Sequence, residues 1–238
     1  MSEKSTIYYL TLEDLNDKNV LYNYIYKNLN TNYYVSDDFS NEFYIKLAFC
    51  GFICTSYTLD EKLYLLPEMQ FEYAILDFEN LHISKKVKKL IAQNSFEFKI
   101  SNTPNNIISK LENYHKSNWL IGEYKELLNS LNNYKHPTIN FELFAIELYD
   151  KNNKELVAGE IGYKIGKTYT SLTGFSSKEN KYKNWGKLQM VLLSKYLEES
   201  NYTFWNLGHP YMQYKFDLGA KSYDRLDFLE RWLIDIKY

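Results

Sequence analysis

Cysteine and histidine are scarce in this chain of 238 residues, which holds two of the first and four of the second. The cysteines, Cys50 and Cys54, stand four apart in the apolar run Leu47-Ala48-Phe49-Cys50-Gly51-Phe52-Ile53-Cys54, and a helix there would put both on one face. A thiol pair or half a metal site would suit that spacing. No second Cys/His cluster completes a ligand set, so they read as buried free thiols and no metal is expected. No Gly-x-Ser-x-Gly elbow, phosphate-binding loop or two-histidine zinc helix occurs, which argues against the common hydrolases and nucleotide enzymes. No apolar run approaches the roughly 20 residues that cross a bilayer, and no basic start leads into an apolar stretch of signal-peptide length. A cytoplasmic protein without a membrane partner is therefore expected. Excess charge of one sign is also missing: 28 Lys+Arg stand against 30 Asp+Glu, a formal net charge of -2. Any polyanion must be held by a local basic patch, since the field of the whole molecule offers no attraction.

Aromatic side chains, by contrast, are abundant, with 24 Tyr and 14 Phe in a chain that is 45% hydrophobic. That suffices for a sizeable core, in one large domain or a large domain with a smaller companion. The tyrosines accompany frequent Asn and Lys, the mark of an AT-biased coding sequence, so a lone aromatic carries little functional weight.

Hydrophobic periodicity and turn residues organise the chain as follows. Asp38 or Ser40 is placed to cap an apolar helix over 43–54. Lys62–Leu66 reads as a strand stopped by Pro67, and Tyr73–Phe78 as its continuation, with a domain boundary near Leu66. Ser84 suits the N-cap of a helix whose stripe is Leu81, Val87, Leu90 and Ile91 and whose other side carries Lys85, Lys86, Lys88 and Lys89. Strands are expected over 96–100, 141–149, 155–163, 167–175 and 203–207, and helices over 105–114, 122–132 and 185–199. Asp150–Lys154 is a turn signal that makes 141–149 and 156–163 a hairpin. Antiparallel strands followed by a helix and a further strand give an α+β fold of the acetyltransferase-like (GNAT) kind over 67–238, after a small N-terminal α/β domain over 1–66.

Three places could carry chemistry. The lysines at 85, 86, 88 and 89 could make two to four phosphate contacts, or be a merely solvated face. Gly186, at the start of a helix after a strand, fits one position of a pyrophosphate-binding loop, but Leu188 stands where a second small residue belongs, so coenzyme A is a minor alternative. His209, after Asn206-Leu207-Gly208 at a strand end, is the histidine to test for proton transfer; His82, His115 and His136 lie beside the lysine helix or in loops.

Read in order, several segments resemble the leucyl/phenylalanyl-tRNA protein transferase family from about Val35 to about Trp232. The likeness is carried by Asp37-Asp38-Phe39-Ser40 before an apolar helix, by Leu63–Pro67, and above all by Leu81-His82-Ile83-Ser84 with its lysines. Asn118-Trp119-Leu120, Leu156–Ser176, Asn206-Leu207-Gly208 and Asp217-Leu218-Gly219-Ala220 extend it. The chain departs from the family pattern at Asn206, which replaces an acid, at Gly208, which replaces a glutamine, and at Leu172, which replaces a glutamate. Glu160 and Gly174 stand where the family tends to place methionines, a change that suits Arg or Lys better than Leu. Gly208 with Met212-Gln213-Tyr214-Lys215 is also similar to a Met-x-Tyr-Lys segment of arginyl-tRNA protein transferases.

The resemblance implies transfer of Leu, Phe or Arg from a charged tRNA to the N-terminal α-amine of an acceptor protein, marking it for N-degron degradation. It implies no cofactor beyond the aminoacyl-tRNA co-substrate, and a monomer is expected. On this reading Asn206, His209 and Tyr214 serve catalysis. Tyr64 and Trp119 pack the terminal adenosine; Glu160, Tyr169, Leu172, Gly174 and Phe175 surround the amino acid; and Lys85, Lys86, Lys88 and Lys89 hold the acceptor stem. A coenzyme A-dependent N-acetyltransferase and a non-catalytic tRNA-binding descendant are the alternatives.

Overall fold

Alternation with period two runs through the centre of the chain and sorts its core into two faces. Within Phe141–Asp150, Leu143 and Ala145 enter one buried cluster, while Phe144, Ile146 and Leu148 enter another. Tyr73 and Ile75 oppose Ala74 and Leu76 in the same way. A sheet apolar on both faces must be covered on both, and the computed structural model, which describes residues 7–112, 114 and 119–237, shows the three layers that result.

In chain order, β1 (Tyr8–Tyr9), α1 (Leu12–Asn16), a π-helical stretch (Val20–Tyr26) and β2 (Tyr34–Val35) come first. Helix α2 (Asn41–Phe49) then leads into a hairpin of β3 (Ile53–Leu59) and β4 (Lys62–Glu68). The large sheet comprises β5 (Glu72–Leu76), β6 (Phe96–Ser101), β7 (Phe141–Asp150), β8 (Leu156–Ile165), β9 (Thr168–Ser176), β10 (Phe204–Asn206) and β11 (Lys221–Asp224), ordered β11-β5-β10-β9-β8-β7-β6. Its pairs are antiparallel except β9 with β10, so it is a mixed sheet. Helices α3 (Lys85–Gln93), α6 (Trp185–Glu199) and α7 (Gln213–Leu218) supply the cluster on one face. Helices α2, α4 (Asn105–Leu111), α5 (Gly122–Leu131) and α8 (Arg225–Asp235) supply the other, together with the hairpin.

Local chemistry accounts for the element ends. Ser40, rather than Asp38, caps α2 by accepting from the Phe43 amide, and Ser84 caps α3 by accepting from Val87. The helix expected over 43–54 ends at Phe49, because Gly51 takes φ +90° and turns the chain into β3. Cys50 and Cys54 therefore lie on different elements; both are buried free thiols, and burial pushes the Cys50 thiol up to about 12. Pro67 does not stop β4, which runs on to Glu68; in a hairpin the missing N–H costs one ladder bond at most.

Residue 66, the expected boundary, lies inside β4. One apolar cluster runs across it, from Leu10 and Phe52 to Tyr73, Phe228 and Trp232, so the two segments share a core. Arg225 adds a polar tie: its fully buried guanidinium donates to the carbonyls of Ile25, Asn28, Thr31, Met69 and Gln70. The helix expected over 105–114 is described only to Leu111; Asn113, His115 and Asn118 lie outside the described residues.

Candidate active site

The parallel pair creates the site. β9 and β10 stay together only from Thr168 to Thr170 against Phe204 to Asn206; β10 then stops while β9 continues to Ser176. Strands that part at their carboxyl ends leave a crevice, the usual place for a ligand in an α/β sheet. Here a cavity of about 470 Å³ opens, walled by Glu160 of β8, residues 171–176 of β9, the first turn of α6, Leu207, and Met212, Tyr214 and Lys215 around α7. Gly186 lets α6 begin this close to β9, since a β-carbon there would lie 2.9 Å from that of Ser176.

Glu160 is a buried carboxylate on this wall. Its Oε1 accepts from the hydroxyls of Tyr169 at 2.9 Å and Ser171 at 2.8 Å, and its Oε2 from the Gln189 amide at 3.2 Å. The Trp205 indole N–H in turn holds Ser171 Oγ at 2.8 Å. Burial raises the carboxyl above its ordinary range, against those three donors and the nearby charge of Lys215. A carboxylate offers about four acceptor positions, so three bonds leave one on Oε2.

Lys215 is the second buried charge, 6% exposed. Its ammonium donates to the carbonyl oxygens of Leu207 at 2.5 Å and His209 at 2.6 Å. Burial lowers it to about 8, opposed by the charge of Glu160. Tyr214 beside it is pushed up to about 12, chiefly by burial and then by Glu160.

The strand-end loop is built on Gly208. Its φ of +73° is a left-handed conformation that glycine adopts without strain, and its amide donates to Asn206 Oδ1 at 2.9 Å. Asn206, 1% exposed, thus serves the turn. His209 looks away from the cavity: its Nε2 lies 2.8 Å from Glu68 Oε2, and its ring stacks on Tyr211 with centroids 4.8 Å apart.

The lysine helix lies on the same side of the sheet as this cavity. Lys85, Lys86, Lys88 and Lys89 are exposed, Val87 is buried with the α6 residues, and α3 packs on α6. A bonded path joins the two: His82 Nδ1 meets the Asp217 carbonyl at 3.0 Å, and Asp217 Oδ2 pairs at 3.1 Å with Lys187, on the cavity rim.

Residues 75–232 match the sequence profile of the leucyl/phenylalanyl-tRNA protein transferases. The chain belongs to that family. The family is one of tRNA-dependent aminoacyltransferases. No curated protein sequence matches it. Among solved structures it is similar to L-PGS from Bacillus licheniformis, at 14% identity and a TM-score of 0.43 over 69% of this chain. It is also similar to the C-terminal DUF2156 domain of a lysylphosphatidylglycerol synthetase candidate from Agrobacterium fabrum, at 12% identity and a TM-score of 0.41 over 74% of this chain. The chain spans 65% and 54% of those two.

Of the residues singled out from sequence for the substrate or for catalysis, Glu160, Leu172, Gly174, Phe175 and Tyr214 line the cavity. Tyr169 touches it through Glu160. Tyr64 and Trp119 do not line it: Tyr64 pairs with Tyr57 across the hairpin, and Trp119 packs 5.4 Å from Tyr124, its carbonyl taking the Ser56 hydroxyl. Asn206 and His209 belong to the loop behind it. Sequence reasoning passed over Glu68, Gln189 and Lys215 as site residues. Only Lys215 had a signal, its place after Tyr214; the other two meet their partners across 141 and 29 residues.

Proposed function

We propose that this transferase moves arginine from Arg-tRNA to the N-terminal α-amine of an acceptor protein in the cytoplasm, marking the acceptor for degradation. The observation that carries this reading is the buried carboxylate of Glu160, with one acceptor position open, in the wall of the cavity. A guanidinium there forms a charge-assisted bond and offsets the cost of the buried charge. A leucine side chain leaves that position unmet, and sites built to bond a polar group discriminate against analogues that lack it.

The activated ester supplies the driving force, so the enzyme needs to position two substrates and stabilise an oxyanion, with no cofactor. An α-amine of pKa near 8 is already partly neutral at pH 7. The exposed lysines of α3 suit the phosphates of the acceptor stem, and the path through His82, Asp217 and Lys187 leads from them to the cavity. Tyr114 and Tyr214, in the cavity wall, suit stacking of the terminal adenosine, the part first given to Tyr64 and Trp119. A helix beginning where two parallel strands part supports an acetyltransferase-like reading of the fold.

A second reading, transfer of Leu or Phe, draws on Leu172, Phe175 and Met190 in the same wall. The test is incubation of the pure protein with labelled Arg-, Leu- and Phe-tRNA and peptides beginning with Arg, Lys, Asp or Glu. Label from Arg-tRNA in the peptide is expected. Label from Leu- or Phe-tRNA alone selects the second reading, and label from none, with tRNA bound, selects a non-catalytic descendant.

A further inference from the structure

Two of the three residues expected to act at the ester, Asn206 and His209, do not line the cavity. Asn206 is buried and its side-chain carbonyl is occupied by the Gly208 amide, while the His209 imidazole turns to Glu68. The carboxylate of Glu160 is held by three donors and is acceptor-only when ionised, so it cannot stabilise an oxyanion. Lys215 is different. It sits in the cavity wall, two of its ammonium hydrogens are fixed by the carbonyls of Leu207 and His209, and the third has no protein partner among the described residues. A buried cation held by two bonds, with its last donor free beside a cavity, is preorganised for a developing negative charge.

We propose that Lys215 is a catalytic residue of the transfer, hydrogen-bonding the ester carbonyl oxygen and carrying a proton between the entering nitrogen and the leaving oxygen. This rests on the aminoacyl-transfer reading of the cavity. The neutral α-amine of the acceptor bonds to the ester carbon, and the carbonyl π pair moves to oxygen, which as an oxyanion accepts a hydrogen bond from the Lys215 ammonium. Re-formation of the carbonyl breaks the bond to the ribose oxygen, which leaves with the electron pair. Lys215 gives that oxygen a proton and takes one from the new nitrogen, so the products are a peptide bond, a free ribose hydroxyl and the regenerated ammonium. No oxidant, metal or further reactant enters the balance.

The neighbourhood supports an amine that exchanges protons near neutrality. Burial lowers Lys215 to about 8, and Glu160 on β8 opposes that shift. The other titratable groups around it are Tyr214 on the same helix, Tyr169 on β9, Tyr114 at the cavity edge, the Lys187–Asp217 pair on the rim, and Glu68 with His209 behind the loop.

The test uses single-turnover transfer from pre-charged tRNA to a model peptide between pH 6 and 9, with binding of the charged tRNA measured separately. Lys215→Arg keeps the charge but cannot release a proton; it is expected to lower the rate by about 100-fold or more, the low end for general acid–base catalysis, with tRNA binding retained. Lys215→Cys, alkylated with 2-bromoethylamine, restores a primary amine that is more acidic than lysine; Cys50 and Cys54 are buried and are spared. Recovery of the rate with the alkaline limb of its pH profile, where the ammonium is lost, moved to lower pH is expected. A Lys215→Arg enzyme at wild-type rate, or an alkylated enzyme whose profile coincides with that of the wild type, overturns the role of Lys215 alone. Absence of transfer by the wild-type protein from every charged tRNA overturns the underlying reading, and the proposal with it.

Discussion

Glu160, on a central strand, and Lys215, on the short helix beyond the parted strand ends, line one cavity, and each lowers the cost of burying the other's charge. The carboxylate is held by side chains, the ammonium by backbone carbonyls. On the proposed arginine-transfer reading the pair has two separable consequences, one for the choice of amino acid and one for the response to pH.

Glu160→Gln keeps the shape and removes the charge. A hydrogen bond to a charged group is worth about 1.5–3 kcal/mol, so the preference for Arg-tRNA over Leu-tRNA should fall by roughly 10- to 150-fold. Competition between the two labelled tRNAs for one peptide measures it; an unchanged ratio removes Glu160 from the specificity argument.

Lys215 makes stability depend on alkaline pH. Its folded value of about 8 lies below the 10.5 of an unperturbed lysine, so between those values the unfolded chain binds the extra proton and stability rises with pH. The cost of the buried charge is fully present below about 8 and gone above 10.5, on the order of 3 kcal/mol in all. Urea unfolding of the wild type and Lys215→Met at several pH values should show the wild type gaining on the variant across that window. Parallel curves would mean that Lys215 sheds its proton at the same pH folded and unfolded.

Replacing Lys85, Lys86, Lys88 and Lys89 together by Ala should weaken tRNA binding and reduce its salt dependence. Each phosphate contact contributes about one to the slope of log K against log salt, so a reduction of about two to four is expected. Filter binding across a salt series reads the slope directly; an unaltered slope would leave α3 a solvated face.

Arg225→Met removes the donor shared by carbonyls from the N-terminal segment and by those of Met69 and Gln70 just beyond β4. Unsatisfied buried acceptors cost about 1–3 kcal/mol each, partly relieved by water, so a loss of more than about 3 kcal/mol is expected. Chemical denaturation measures it, and a loss below 1 kcal/mol would show that the apolar core alone joins the two segments.

Periodicity made much of the frame legible. The strands at 141–150, 156–165 and 168–176 and the helix 185–199 fall within a residue or two of where alternation and 3.6-residue spacing put them, because each pattern is local. The lysine helix and its Ser84 cap were legible for the same reason. The run 43–54 was misread because its apolar residues continue through a glycine turn into a strand, and unbroken hydrophobicity carries no period.

By itself, the sequence determined the periodic elements, the position of the basic stripe and the presence of an acid at 160 and a lysine at 215. Only the tertiary structure decided that those two face one cavity while Asn206 and His209 serve the loop behind it. The reason is physical: β10 stops three residues into its pairing with β9, and where the chain then turns is set by Gly208, by Lys215 and by Glu68, which is 141 residues from His209. Contacts across such separations leave no periodic trace in a single chain, whereas burial and bond geometry display them directly.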